Sequence, residues 1–399
     1  MVPLNISDRR ERLLVRAADL ALAPARLRRR RRPAEPPRSI VCFRLERIGD
    51  LLMTVPALAE LHAIAPAAAI DLVVGSWNAD IARAIPGIRS VEVLDAHWLA
   101  RGAQGRSVTA LARAARRWNA RGYDLAMNFE PDIRSNFITA AVGAHWTAGF
   151  ASGGGGPLLD LSLPFDTTQH TADNMVSLVR AASREWAETA SAGDLHLQLD
   201  DDVRHRAAER LADLRSPIVG MHVAGGRAIK QWPLDRFAEV ARWLVQERHA
   251  SVVLTGGPDD RAPNALVRTK MHPAAALDVA GASLVEAAAI LERCDIVVTG
   301  DTGPMHLAHA VGTPVVAIFG PSDPQRYGPR GLRDRVVRVD LPCAPCNRIR
   351  QPPARCVGAL QAGGAPDCLS GVPVTAVLDA IDDVIAGLGA PRNRISTVA

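Results

Sequence analysis

The chain has 399 residues, 48% of them hydrophobic and only 4% aromatic, with a formal net charge of +5. Two domains are expected at that length, and with so few aromatics their cores must be packed from Ala, Val, Leu and Ile, as in parallel sheets covered by helices. No apolar run approaches the roughly 20 residues of a membrane span, and the N-terminus lacks an apolar core followed by a small-residue cleavage site, so a cytoplasmic location is expected.

In chain order, residues 1–37 form a basic arm and a Pro-rich linker. Residues 1–32 hold ten arginines against Asp8, Glu11 and Asp19, a balance of +7 that leaves −2 for the remainder. Leu13, Leu14, Ala17, Leu20 and Ala21 recur at helical spacing beside Arg9, Arg10, Arg12 and Arg16, and Arg28 to Arg32 run unbroken. A basic amphipathic segment suits the anionic inner face of a membrane; the alternative is a solubilising tail. Nucleic acid is not an expected partner, because no aromatics are interleaved with the arginines.

Residues 38–212 are expected to form an N-terminal domain. Strands are predicted at Ser39 to Leu45, Ala69 to Gly75, Ser90 to Leu94 and Asp124 to Asn128. Helices are predicted at Leu51 to Ile64, Asn78 to Ile85, Ser107 to Arg121 and Thr171 to Glu188. The segment Ala151 to Pro157 reads as a flexible loop. Residues 213–372 repeat the alternation, with strands at Ile218 to His222, Ser251 to Leu254, Leu277 to Val279, Ile296 to Thr299 and Pro314 to Phe319. Their helices fall at Leu234 to Gln246, Ser283 to Glu292 and Met305 to Val311, and residues 373–399 form a last helix and tail. Alternating β and α segments argue two doubly wound, Rossmann-like parallel sheets. Two such domains facing across a cleft make the GT-B arrangement of glycosyltransferases, shared by some nucleotide-sugar epimerases.

Open parallel sheets bind ligands in the turns beyond the carboxyl ends of their strands, and four such turns carry polar side chains. After the first strand, Asp50 is placed either to take a hydroxyl proton or to cap the next helix. Arg44 and Arg47 flank it and could clamp carboxylates or phosphates of an acceptor. After Ile218 to His222, Gly225 and Gly226 allow close backbone approach, and Lys230 can place a charge on a diphosphate. After Ser251 to Leu254, Asp260 could accept ribose hydroxyls, or merely cap its turn. After Ile296 to Thr299, the run Gly300-Asp301-Thr302-Gly303-Pro304-Met305-His306 opens a helix whose free N–H groups favour an anion.

The stretches Arg44 to Leu58, Lys230 to Phe237, Gly300 to His306 and Phe319 to Pro324 resemble glycosyltransferase family 9, the ADP-heptose heptosyltransferases of lipopolysaccharide synthesis. The resemblance runs from about Ile40 to Ile385. It implies an acceptor-binding N-terminal domain and a C-terminal domain for the nucleotide sugar. It also implies an inverting transfer of a sugar, heptose from ADP-heptose, to a hydroxyl of a lipopolysaccharide-core or similar acceptor. Asp50 then matches the general base, and Lys230, Asp301, Thr302, Gly303 and His306 match donor-binding positions. No cofactor is expected for catalysis. The sequence departs from the pattern at Gly226, where many relatives place Ser or Thr, and at Met127 to Pro131, where relatives often read Asp-Leu-Gln-Gly. The competing readings are a nucleotide-sugar epimerase and a non-catalytic carbohydrate-assembly scaffold.

Four of the six cysteines lie late, as Cys343, Cys346, Cys356 and Cys368, in the spacing C-x2-C-x9-C-x11-C. Four thiolates can hold structural zinc or iron; free thiols or disulfides are the alternatives. Cys42 and Cys294 lie in apolar runs and read as core residues.

Overall fold

The structure is a computed structural model that describes residues 2–6, 8–99, 107–186, 196–271 and 276–387. It divides into two compact units, Met1–Leu195 and His196–Ala399. Each is built on one six-stranded sheet whose strands all pair in parallel.

The first sheet comprises β1 (Ser39–Arg44), β2 (Ala69–Val74), β3 (Ile88–Val93), β4 (Leu125–Asn128), β5 (Trp146–Phe150) and β6 (Leu161–Leu163), in the order β3-β2-β1-β4-β5-β6. The second comprises β7 (Ile218–His222), β8 (Ser251–Leu254), β9 (Ala276–Asp278), β10 (Ile296–Gly300), β11 (Val315–Ile318) and β12 (Arg335–Val337), in the order β12-β11-β10-β7-β8-β9. The two orders are the same when counted from each unit's first strand. Both are the doubly wound Rossmann order, which reverses direction between the first and fourth strands of the unit. The expected two doubly wound parallel sheets are therefore present.

The central strands are buried on both faces and read as near-continuous Val/Ile/Leu runs. The helices between them are amphipathic. Leu234–Glu247 buries Phe237, Val240, Ala241 and Leu244 on one face. Leu284–Glu292 starts at a capping box, in which Ser283 accepts from the Glu286 N–H and Glu286 reaches back to Ser283. In the first unit Phe43 meets Trp118 edge-on at 5.8 Å, and in the second Trp232 meets Phe237 at 4.9 Å.

Three sequence expectations are changed. The helix expected from Leu51 begins earlier and is interrupted, as Ile48–Leu52 and Val55–Ile64. The loop Ala151 to Pro157 is closely packed: most of it is buried, and Asn136 Nδ2 donates to Phe150 O at 2.7 Å and Gly154 O at 2.8 Å. Gly154 and Gly155 take φ of 90° and 76°, the left-handed region that glycine enters without penalty. The units divide at 195/196, against 212/213 from the sequence. The helix Asp201–Arg210 packs into the second unit, with Arg204 paired to both carboxylate oxygens of Glu292 at 2.9 Å. The last helix, Val374–Ala386, buries Val377, Ile381 and Val384 in the second unit's core. The tail expected at 388–399 and the end of the helix expected at Thr171 to Glu188 lie outside the described residues.

Candidate active site

The switch point of the first sheet lies between β1 and β4, and Asp50 stands just beyond it. Because the helix Ile48–Leu52 starts at Ile48, Asp50 is its third residue. The N-cap is Arg47, with no side-chain cap bond, so capping is not the role of the Asp50 carboxylate. The Asp50 side chain keeps 34% of its surface and faces Arg44, with Oδ1 at 3.6 Å from Nη2. Arg44 is 1% exposed. Its Nε donates to Asp50 O at 3.1 Å, and its Nη1 donates to Phe129 O at 2.5 Å and pairs with Glu46 Oε2 at 2.9 Å. The Asp50 carbonyl also accepts from Thr54 Oγ1 at 2.9 Å. The acceptor clamp expected of Arg44 is corrected: its guanidinium is buried and occupied by its own unit, and what it does is hold Asp50. Arg47 is exposed on the same turn.

Sequence reasoning missed the carboxylates around Arg44. Glu130 is buried just after β4, where it accepts from the Leu45 N–H and from Ser135 Oγ. Desolvation raises its pKa, with Ser135, Arg44 and the Leu45 N–H opposing. Glu46 keeps 30% of its side-chain surface, yet loss of hydration and the carboxylates of Asp50, Glu130 and Asp132 push its pKa up to about 8 against the pull of Arg44. The signal that could have found this cluster was the pairing of β1 with β4, which brings Glu46 and Glu130 to the same end of adjacent strands.

In the second unit the switch point lies between β7 and β10. Lys230 ends a 3-10 turn, Ala228–Lys230, pinned on both sides: Ile229 is 4% exposed and Trp232 1%, with Trp232 Nε1 donating to Val372 O at 3.3 Å. Lys230 Nζ meets Asp301 Oδ2 at 2.6 Å. Asp301 follows β10, and its side chain is 8% exposed against 22% for Lys230. Thr302 is the N-cap of the helix Gly303–Ala310, but its Oγ1 meets Thr299 Oγ1 at 3.1 Å and Gly300 O at 3.3 Å rather than capping the helix. The helix N-terminus at Gly303 thus has no side-chain cap, the condition in which it can receive an anion. His306 lies one turn further along, half-buried. His222, at the end of β7, is buried; desolvation lowers its pKa, while Asp260 opposes.

Three donor-side expectations change in detail. A side chain at Gly225 would meet the backbone of Arg227 and Gln231 at about 3 Å, so this glycine lets the turn fold on itself. Gln231 locks that turn by accepting from the Gly225 N–H and donating to Val223 O, both at 2.5 Å. Gly226 faces open space, with nothing within 4 Å of where a Cβ would stand, so the hydroxyl that relatives carry there would fit. Asp260 caps its own turn, its Oδ2 accepting from the Gly257 N–H at 2.8 Å.

The four late cysteines come together on the wall of one cavity of about 330 Å³. Arg355 lies against Cys343 and Cys356, and the Cys368 thiol is pushed up to about 11 by burial and by its three neighbours. The soft donors suit zinc or iron. They are not drawn into a closed ligand set, however: among the described residues no group of three or more His, Cys, Asp or Glu is arranged to hold a metal ion. The expected structural metal is therefore not supported by the positions these thiols occupy. Cys42 and Cys294 are buried, as expected.

Comparison with known proteins settles the family. The profile of "Glycosyltransferase family 9 (heptosyltransferase)" matches residues 111–355. The chain belongs to glycosyltransferase family 9. It is a glycosyltransferase with the GT-B fold, and the epimerase and scaffold readings fall away. Lipopolysaccharide heptosyltransferase 1 of Pseudomonas aeruginosa is 25% identical over 77% of this chain and 85% of its own length. The solved family 9 glycosyltransferase of Veillonella parvula is 26% identical, with a TM-score of 0.73 over 88% of this chain and 98% of its own. The E. coli heptosyltransferase WaaC, solved with ADP-2-deoxy-2-fluoro heptose, is 20% identical, with a TM-score of 0.59 over 82% of this chain and 99% of its own. Among the described residues no helix is long and apolar enough to cross a membrane.

Proposed function

We propose that this family 9 enzyme transfers heptose from ADP-heptose to a hydroxyl of a lipopolysaccharide-core acceptor, with inversion, at the cytoplasmic face of a membrane. The observation that carries the reading is Asp50, a part-exposed carboxylate at a sheet switch point, oriented by an arginine buried beneath it. The names of the relatives support the donor and the acceptor: one is a lipopolysaccharide heptosyltransferase and another was solved with a fluorinated ADP-heptose.

In this reading Asp50 accepts the proton of the acceptor hydroxyl as its oxygen attacks the anomeric carbon. The bond from that carbon to the diphosphate oxygen breaks on the opposite face, and ADP leaves with the electron pair. Charge grows on the departing diphosphate. Lys230, which has three donors and gives one to Asp301, keeps two for the phosphates. The N–H groups at Gly303 add the helix dipole. Asp301, Thr302 and His306 shape the same pocket wall, Gly226 leaves room for the diphosphate, and Asp260 offers its second oxygen to a ribose. Arg47 remains a candidate contact for the acceptor. No metal takes part in these steps.

The test is Asp50→Asn. Transfer from ADP-heptose to a core acceptor should fall by at least about 100-fold, the usual weight of a positioned base, while ADP binding by calorimetry stays within about two-fold, a difference of roughly 0.4 kcal/mol. Near-normal turnover of the variant removes Asp50 from the mechanism. A product retaining the donor's anomeric configuration, read from its NMR couplings, rules out the single displacement.

A further inference from the structure

The N-terminal arm is folded against the first unit, and the way it docks turns its apolar stripe outward. Its helix, Arg9–Ala21, is capped by Asp8, whose carboxylate accepts from the Glu11 N–H at 2.8 Å. Val15 is the helix's only buried side chain, and it packs against Gly154, where any Cβ would collide with it. One turn on, Asp19 Oδ1 accepts from the Gly155 N–H at 2.6 Å. At roughly 100° per residue, Val15 and Asp19 define the inward face, with Glu11 and Ala18 beside them. The opposite face carries Leu13, Ala17 and Leu20, edged by Leu14 and Ala21. Leu13, Leu14 and Leu20 are 57%, 72% and 71% exposed, and Leu27 in the next turn is 91% exposed. Arg9, Arg10 and Arg16 lie on or beside this outer face, all exposed, and no acidic residue shares it.

The arginine run beyond the helix divides by role. Arg29 donates to Leu159 O at 3.1 Å and to Gly156 O at 3.3 Å. Arg30 donates to His145 O at 2.8 Å, and Arg32 lies over the Trp146 ring at 5.6 Å. These three fasten the arm, whereas Arg26, Arg28 and Arg31 are exposed. An apolar stripe among cations is costly to leave in water and has one complementary surface, apolar below and anionic above.

We propose that the outer face of the arm docks the enzyme on an anionic lipid bilayer, with Leu13, Leu14 and Leu20 entering the headgroup region and Arg9, Arg10 and Arg16 meeting lipid phosphates. The proposal deepens the reading of a lipid-borne acceptor. The loop under the arm also packs against Pro131 and Asp132, next to Glu130, so lipid contact would be made by the unit expected to take the acceptor.

The test is flotation of the full-length protein with phosphatidylcholine vesicles, with and without phosphatidylglycerol, in the absence of donor and acceptor. Wild type is expected to float with the anionic vesicles and to release as salt rises. L13S/L14S/L20S should lower partitioning by at least about ten-fold, and each arginine of the outer face changed to Gln by about five-fold on anionic vesicles alone. All six side chains are exposed, so unfolding temperatures should not move. No wild-type binding to anionic vesicles, or binding that survives the triple leucine change, overturns the proposal. Transfer to a delipidated soluble acceptor, measured on the same proteins, separates the two readings: it should be equal in wild type and the leucine variant, and its absence in a vesicle-binding wild type counts against the acceptor reading only.

Discussion

Lys230→Met removes the ammonium but keeps most of the side chain's apolar length, and it strikes the donor side through two separable effects. The first is on stability. Asp301 keeps only 8% of its side-chain surface and would lose the cation 2.6 Å away. Breaking a fully buried ion pair costs about 3–5 kcal/mol, and an exposed one about 1 kcal/mol or less. With Lys230 itself 22% exposed, a loss near 2 kcal/mol is expected, or about 4–8 °C in the unfolding temperature of a unit of this size. The second effect is on binding. A charge-assisted hydrogen bond to the diphosphate is worth about 1.5–3 kcal/mol, and an unbalanced Asp301 carboxylate would add repulsion, so ADP affinity should fall at least ~10–100-fold. Adding Asp301→Asn separates the two: stability should return to within about 1 kcal/mol of wild type, the usual net worth of a hydrogen bond, while ADP affinity stays low. Scanning calorimetry and titration calorimetry with ADP read both quantities. A Lys230→Met protein that binds ADP like wild type refutes the donor assignment, whatever its stability.

Glu46→Gln should change pH dependence in a stated direction. The folded protein holds the Glu46 proton up to about pH 8 against an ordinary value of 4.5, so wild-type stability falls as pH rises from about 4.5 to 8 and levels beyond it. The Gln variant lacks that slope and should gain on wild type over this window by about 1–2 kcal/mol, discounted for the solvent-exposed part of the side chain; parallel urea titrations at pH 5 and pH 8 that show no relative gain disprove it. The late cysteines should behave as open thiols. Under reducing, chelator-free conditions Cys343, Cys346 and Cys356 should alkylate readily and Cys368 slowly, because its thiol is raised to about 11. Cys42 and Cys294 should stay protected until unfolding, the latter raised to about 12 by burial. Stoichiometric zinc or iron with all four late thiols protected would refute the open cavity.

The sequence made the strands legible where an apolar run met a polar turn. Ile218 to His222 and Ser251 to Leu254 fall where expected, because apolar runs bounded by polar turns leave little choice. Three strands were missed: β5 is fully buried, but its run Trp-Thr-Ala-Gly-Phe is broken by Thr and Gly, while the edge strands β6 and β12 have three residues each and are only partly buried, so no apolar run marks them. Helices were missed as well, among them Ile133–Ala141, Asp201–Arg210, Arg261–Lys270 and Ala354–Gln361. Asp201–Arg210 and Arg261–Lys270 are largely polar and bury two side chains each, leaving a weak periodic signal. Within the candidate site, motif spacing singled out Asp50, Lys230 and Asp301 as candidates, but it could not say which arginine would be buried. Arg44 and Arg47 look alike in the chain. Only the strand geometry turns one under Asp50 and leaves the other exposed.

The two sheets share one strand order, and that shared order explains why two unlike turns hold the chemistry. Strand order places a crevice at the same point in each unit, but it does not decide what enters. In the first unit the crevice sets Glu46, Asp50 and Glu130 around the buried Arg44 guanidinium, with Asp132 paired to Arg134 beside them. There the part-exposed Asp50 can take a proton from a neutral hydroxyl. In the second, Lys230 balances the buried Asp301, and an uncapped helix N-terminus and glycine turns offer N–H groups to an anion. Exchanging the signs would defeat both. Asp50→Lys should abolish transfer and create an adventitious phosphate site in the first unit. Lys230→Glu should abolish ADP binding while leaving the first unit's acceptor affinity unchanged within about two-fold. If Lys230→Glu still bound ADP, the division of labour by charge between the two crevices would be wrong.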